Sequence, residues 1–159
     1  MKKILLASFF FFASSYLFSQ HLAMPIEDAK NNGIIIHKLD SLYQSAIHVD
    51  TTKAVFNTQE SQIKMKTAYV QMLNDFGQFL KENNYIWPKA THCFNRIYFA
   101  EDGSINYFLY QFKGKDEDLP SAEQQLAFQK LLSKFVLYYK IGISADKKFA
   151  QCSPVTYKP

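Results

Sequence analysis

Apolar and polar positions alternate most clearly over residues 94–112, FNRIYFA-EDG-SINYFLYQF, where two aromatic and β-branched runs flank Asp102-Gly103. Runs of this composition read as strands, and Asp-Gly supplies the positive φ that a tight reversal needs. A β-hairpin is expected. With Glu101, Asp102 and Gly103 as a three-residue loop, Ala100 opposes Ser104, Phe99 opposes Ile105 and Ile97 opposes Tyr107. One face is then Ile97, Phe99, Ile105, Tyr107 and Leu109, a core stripe. The other collects Phe94, Arg96, Tyr98, Phe108, Tyr110 and Phe112, and a slip of one residue would exchange the faces.

Around the hairpin the period changes to that of helices. Ile35, Leu39, Leu42, Tyr43, Ala46 and Val49 recur at helical spacing within 27–49, a helix weakened near its start by Gly33. Asn57 with Glu60 offers a cap to a second helix over 58–83, whose apolar face is Met65, Tyr69, Met72, Phe76, Phe79 and Leu80; Trp87-Pro88 bars its continuation. After the charged loop 113–118, Ser121 and Gln124 form a capping box for a third helix over 122–140, stopped by Gly142. Residues 148–157 read as a last strand, with Pro154 marking an edge or a bulge. The predicted order is α-α-β-β-α-β, an α+β chain with a small, mainly antiparallel sheet.

The first residues alter this picture. Lys2-Lys3, the apolar run 4–12 and the serines at 14, 15 and 19 read as a secretory signal peptide over 1–19, cleaved near Ser19-Gln20. The run is interrupted by serines and short of the ~20 residues of a bilayer span, so no stable membrane span is expected after cleavage. The remaining 20–159 reads as one domain, with N-terminal helices over 20–78 and a β-β-α-β core over 79–157. Removing Lys2 and Lys3 leaves 16 basic and 14 acidic residues, without the one-sided basic face of a nucleic-acid binder. In an oxidising compartment Cys93 and Cys152 would form a disulfide closing a loop of about 60 residues. The alternative is two buried thiols.

Candidate chemistry is sparse. His21, His37, His48 and His92 are scattered, and His92, Cys93 and Cys152 lack a fourth metal ligand, so neither a metal nor another cofactor is expected. Adjacent His92 and Cys93 would point to opposite faces of a strand, which disfavours a thiol-imidazole pair. No carboxylate pair is forced onto one buried face, so the chain reads as non-catalytic. The feature with functional content is the second hairpin face. Arg96, Tyr98, Phe108, Tyr110 and Phe112 would form a docking platform for a protein partner, aromatic and Arg side chains being the enriched anchors of interfaces. The competing reading is that the first helices cover this face to bury their own stripes.

The run FLKENNYIWPKATHCFNRIYFAEDGSINYFLY resembles the opening of the C-terminal domain of TonB-type energy transducers, with Trp87-Pro88, Ala90, strand residues 97–99, Asp102-Gly103 and strand residues 105–109 in corresponding places. A helix and a further strand follow in that family, in line with 122–140 and 149–157. The resemblance covers about 79–157 and implies a similar fold and a location in the cell envelope. The family's N-terminal anchor, Pro-rich spacer and Pro-x-Trp-x-Pro segment have no counterpart here, so the resemblance does not carry energy transduction over to this chain. The resulting expectation is an exported, periplasmic or extracellular protein-binding module using either the sheet edge at 149–157 or the aromatic face. The alternative is a small-ligand protein or envelope enzyme with a pocket between the N-terminal helices and the sheet.

Overall fold

The computed structural model describes residues 21–159. The expected leader over 1–19 lies outside the described residues. The architecture is α+β: a mixed five-stranded sheet in the order β1-β4-β3-β5-β2, covered on one face by two long helices and on the other by the N-terminal segment. The strands are β1 (Leu22–Pro25), β2 (Gln44–Ser45), β3 (Thr91–Phe99), β4 (Ile105–Lys113) and β5 (Phe149–Tyr157). The central β4-β3-β5 ladder is antiparallel, while β1 joins β4 and β2 joins β5 in parallel. No helix among the described residues is long and apolar enough to cross a membrane.

The N-terminal region departs from the expected helix over 27–49. It divides into a single turn α1 (Ile26–Ala29) and a short α2 (Ile36–Leu42), flanked by β1 and β2. Gly33, at φ +74, turns the chain between them. The helical spacing was partly accidental: Leu39, Tyr43 and Ala46 are buried, whereas Leu42 and Val49 are exposed. Tyr43 and Leu39 pack with Met24, Tyr98 and Leu109 into a second, smaller core on this face of the sheet.

α3 (Gln59–Glu82) follows the predicted stripe, burying Met65, Tyr69, Met72, Phe76 and Leu80 at three- and four-residue spacing. Its cap is Thr58, which exchanges hydrogen bonds with Ser61, rather than Asn57 with Glu60. α4 (Ala122–Val136) starts at the expected Ser121-Gln124 capping box and ends four residues early. Residues 137–145 instead fold back on the hairpin turn, with Ile141 N donating to Gly103 O at 3.0 Å and Ala145 N to Glu101 O at 2.9 Å. A Cβ on Gly103, already at φ +80, would lie 2.5 Å from Ile143 O, so both conformation and space require glycine there. Between the helices and the sheet the core is a continuous set of rings: Phe76 stands 4.9 Å from Phe135 and 5.6 Å from Phe128.

The hairpin loop is as predicted, with Phe99 opposite Ile105 and Ala100 N bonded to Ser104 O at 2.9 Å. The register beyond it is not. A bulge at Asn106 sets Tyr98 opposite Tyr107 and Ile97 opposite Phe108. Because the extra residue inverts the alternation of β4, Phe108 and Tyr110 join Ile97 and Phe99 beneath the helices. Tyr107 and Leu109 join Tyr98 on the other face. Asn106 is buried there and donates from Nδ2 to the Tyr43 hydroxyl at 2.8 Å.

Candidate functional site

The predicted docking platform does not form. Tyr98, Phe108 and Tyr110 are fully buried, and Phe112 packs against the main core. Arg96 and Tyr98 lie on the opposite side of the sheet from Phe108 and Tyr110, separated by the bulge-induced inversion. Both faces are occupied by the chain itself, as the need of the helices to bury their apolar stripes requires. Arg96 Nη2 donates to Asp40 Oδ2 at 2.7 Å, and the Tyr98 hydroxyl donates to Asp40 Oδ1 at 2.9 Å. This carboxylate ties α2 to β3. Burial and the bond to Asp40 together raise the Tyr98 phenol well above its usual pKa.

Cys93 and Cys152 are free thiols. Cys93 sits opposite Val155 and faces the helices, whereas Cys152 sits opposite Arg96 and faces the N-terminal segment. Opposite faces and a three-residue offset exclude the expected disulfide in this fold. The Cys93 thiol donates to Asn95 Oδ1 at 3.3 Å, and Asn95 Nδ2 donates to the Tyr157 hydroxyl at 3.1 Å. Burial pushes the Cys93 thiol up to about 12, which makes it a poor nucleophile. His92 turns away from Cys93 and its Nδ1 meets the Thr156 hydroxyl at 2.9 Å. Among the described residues no group of three or more His, Cys, Asp or Glu side chains is placed to hold a metal ion.

Because β2 is only two residues long, most of the outer side of β5 has no ladder partner. Its inner side is paired with β3 along all nine residues, but β2 covers the outer side only at Phe149 and Ala150. Gln44 N donates to Lys148 O at 3.2 Å and Ala46 N to Ala150 O at 2.8 Å. Since the main-chain groups of a strand alternate in direction, Cys152, Pro154 and Thr156 turn theirs outward as well. Pro154 thus sits where its missing N–H costs no bond to β3, the edge position that its presence suggested. The Cys152 carbonyl accepts from Gln151 Nε2 at 3.0 Å.

Alongside this edge runs a groove of about 450 Å³ between β5 and α3. Val70, Asn74, Gly77 and Lys81, spaced to share one helix face, line its α3 side; Val155 and Tyr157 line the other, and Ile86 lies at its end. Val70 is 55% and Ile86 72% exposed. The groove lies at the margin of the core; beneath the middle of α3 the space between helix and sheet is filled by Phe76, Phe128 and Phe135. The charged side chains lining it are Lys81 and Lys158, and neither has an ion-pair partner among the described residues. The edge strand was anticipated from Pro154; the groove was not, because the solvent-side stripe of α3 is mostly polar. Comparison with protein-family models, with curated proteins and with solved structures gives no match to this chain.

Proposed function

We propose that this chain is a non-catalytic, exported protein-binding module that takes an extended segment of its partner as an added strand on β5. The observation that carries the reading is the coincidence of outward main-chain groups without a ladder partner at 152–156 with a groove along the same edge. Main-chain pairing supplies generic affinity in this mode, and side chains entering the adjacent groove supply selectivity. The resemblance to TonB C-terminal domains, with the succession β3, β4, α4, β5 and a leader-like N-terminus, supports a role in the cell envelope.

Panning a random peptide library on the immobilised protein, followed by affinity measurement on the recovered peptides, tests this. Thr156→Pro removes an outward amide while leaving the β3 pairing to Tyr157 and Val155 in place, and is expected to weaken binding about tenfold. Peptide addition should also slow exchange of the Cys152 and Thr156 amide protons in the unmodified chain. Recovery of no peptide, or of peptides indifferent to Thr156→Pro that protect neither amide, would refute edge addition.

A further inference from the structure

Asn32 is the one asparagine of the chain that is followed by glycine. The backbone requires that glycine. Gly33 stands at φ +74 after α1, its N–H donating to Lys30 O at 3.1 Å while the next amide, Ile34 N, donates to Ala29 O at 2.8 Å. These are the two bonds of a Schellman termination, with Gly33 in the left-handed position and Ile34 turned into the small core beside Ala29 and Leu39. Asn32 closes the turn from its side chain, donating from Nδ2 to Asp28 O at 2.9 Å.

The same pair of residues carries a latent reaction. The main-chain nitrogen that follows an asparagine attacks the side-chain Cγ once its proton is lost to solvent, and a glycine there has no Cβ to hinder ring closure. The bond that forms is Gly33 N to Asn32 Cγ. The bond that breaks is Cγ to Nδ2, which takes up a proton and leaves as ammonia. Water then opens the succinimide at either carbonyl, giving aspartate or isoaspartate. Asn32 and Gly33 are exposed and line a notch of about 260 Å³, so water reaches both. In the closed turn, however, Lys30 O holds the attacking N–H and Asp28 O holds the leaving amide. The ring closes only when the turn opens. Opening draws Ile34 from the cluster of Ala29, Leu39, Tyr43 and Tyr98, and the tie from Asp40 to Arg96 and Tyr98 resists it.

We propose that Asn32 is a site of spontaneous deamidation gated by opening of the 30–33 turn, and that the isoaspartate formed there releases the N-terminal segment from the sheet. Isoaspartate routes the main chain through Cβ and so adds one carbon between residues 32 and 33. Gly33 N and Ile34 N then lose their places opposite Lys30 O and Ala29 O, and Ile34 its place in the core. Aspartate keeps the backbone and replaces only the donor to Asp28 O.

The test is to incubate the purified protein near neutral pH, folded and in urea, following residue 32 by peptide mapping and by enzymatic methylation of isoaspartate. In the folded protein Asn32 alone is expected to convert, and more slowly than in urea. Asp40→Ala, or Tyr98→Phe where the first variant does not fold, should speed the folded reaction about five- to tenfold, because the rate follows the population of the open turn. Asn32→Gln, whose longer side chain disfavours ring closure, should abolish it. The isoaspartate form, separated by chromatography, should melt at a lower temperature than the fresh protein and lose hydrogen-exchange protection at Ile34 while keeping it at Phe76. Equal rates in the folded protein and in urea, or no conversion in either loosened variant, overturn the gated site. An isoaspartate form with unchanged melting and unchanged exchange at Ile34 overturns the release.

Discussion

Removing the Asp40 carboxylate should loosen the N-terminal segment from the sheet by an amount that the geometry allows to be estimated. Asp40 accepts from Arg96 Nη2 and from the Tyr98 hydroxyl. The two bonds differ in value. Tyr98 is fully buried, so Asp40→Ala leaves its hydroxyl without its acceptor, at about 1–3 kcal/mol. The ion pair is 27% exposed at Arg96 and 44% at Asp40, and solvent screening limits it to about 0.5 kcal/mol. The sum is about 1.5–3.5 kcal/mol, a large share of the ~5–15 kcal/mol that usually separates folded from unfolded chains.

A double-mutant cycle isolates the buried bond. Tyr98→Phe alone should cost about 1 kcal/mol, and Asp40→Ala in that background should cost about 1–2 kcal/mol less than in the unmodified chain. Urea unfolding can be followed at Trp87, the single tryptophan, which is buried and stacked on Tyr157 with ring centroids 5.0 Å apart. The urea dependence should keep its slope while the midpoint shifts. Additivity of the two substitutions within about 0.3 kcal/mol would refute the claim that Asp40 holds Tyr98.

Deleting Asn106 should leave a folded protein with the same core, because Tyr98 then opposes Tyr107 in a regular ladder; loss of the bond to Tyr43 should cost about 1–3 kcal/mol in urea unfolding. Ellman's reagent should titrate Cys152 in the native protein and both cysteines in urea, without prior reduction; one or no thiol in urea would contradict the separated pair. The folded state holds the Cys93 proton up to about pH 12, whereas the unfolded chain releases it near 9, so this contribution is complete below pH 9 and declines as pH rises toward 12. Cys93→Ser should therefore reduce the alkaline loss of stability by about 1.4 kcal/mol per pH unit within that window, measured by urea unfolding at several pH values. Gly103→Ala should cost well over 1 kcal/mol, since the left-handed backbone and the contact with Ile143 O both oppose a Cβ.

Features set by local chemistry were legible in the sequence. Asp102-Gly103, the Ser121-Gln124 box and the stripe from Met65 to Leu80 each specify their element through neighbours within a few residues. Features set by tertiary pairing were not. β1 and β2 are four and two residues long, too short to show a period, and exist because β4 and β5 offer them a ladder. The bulge at Asn106 escaped for a related reason. Both registers of β4 give an apolar inner face; the choice between Phe108-Tyr110 and Tyr107-Leu109 depends on the larger space under α3 and α4, which the hairpin alone does not reveal. The misplaced platform residues follow from that one slip. The covalent pairing of Cys93 with Cys152 failed on parity, which becomes readable only once the β3–β5 register is known.

The open edge is too small to bind by main chain alone. Between β2 and the end of β5 it exposes the Cys152 amide, the Pro154 carbonyl and both groups of Thr156, the Cys152 carbonyl being engaged by Gln151. Four bonds at about 1 kcal/mol net give about 4 kcal/mol, below or comparable to the entropic cost of association. Pro154 and Gln151 therefore make the strand a poor template for indiscriminate edge-to-edge pairing. A segment that does bind must recover the remainder from the groove, through contact with Val70, Tyr157 and Ile86 and the opening over Gly77. On the edge-addition proposal, a blunted edge beside an open groove would make affinity depend on side chains, placing selectivity in α3 and leaving direction and register to β5.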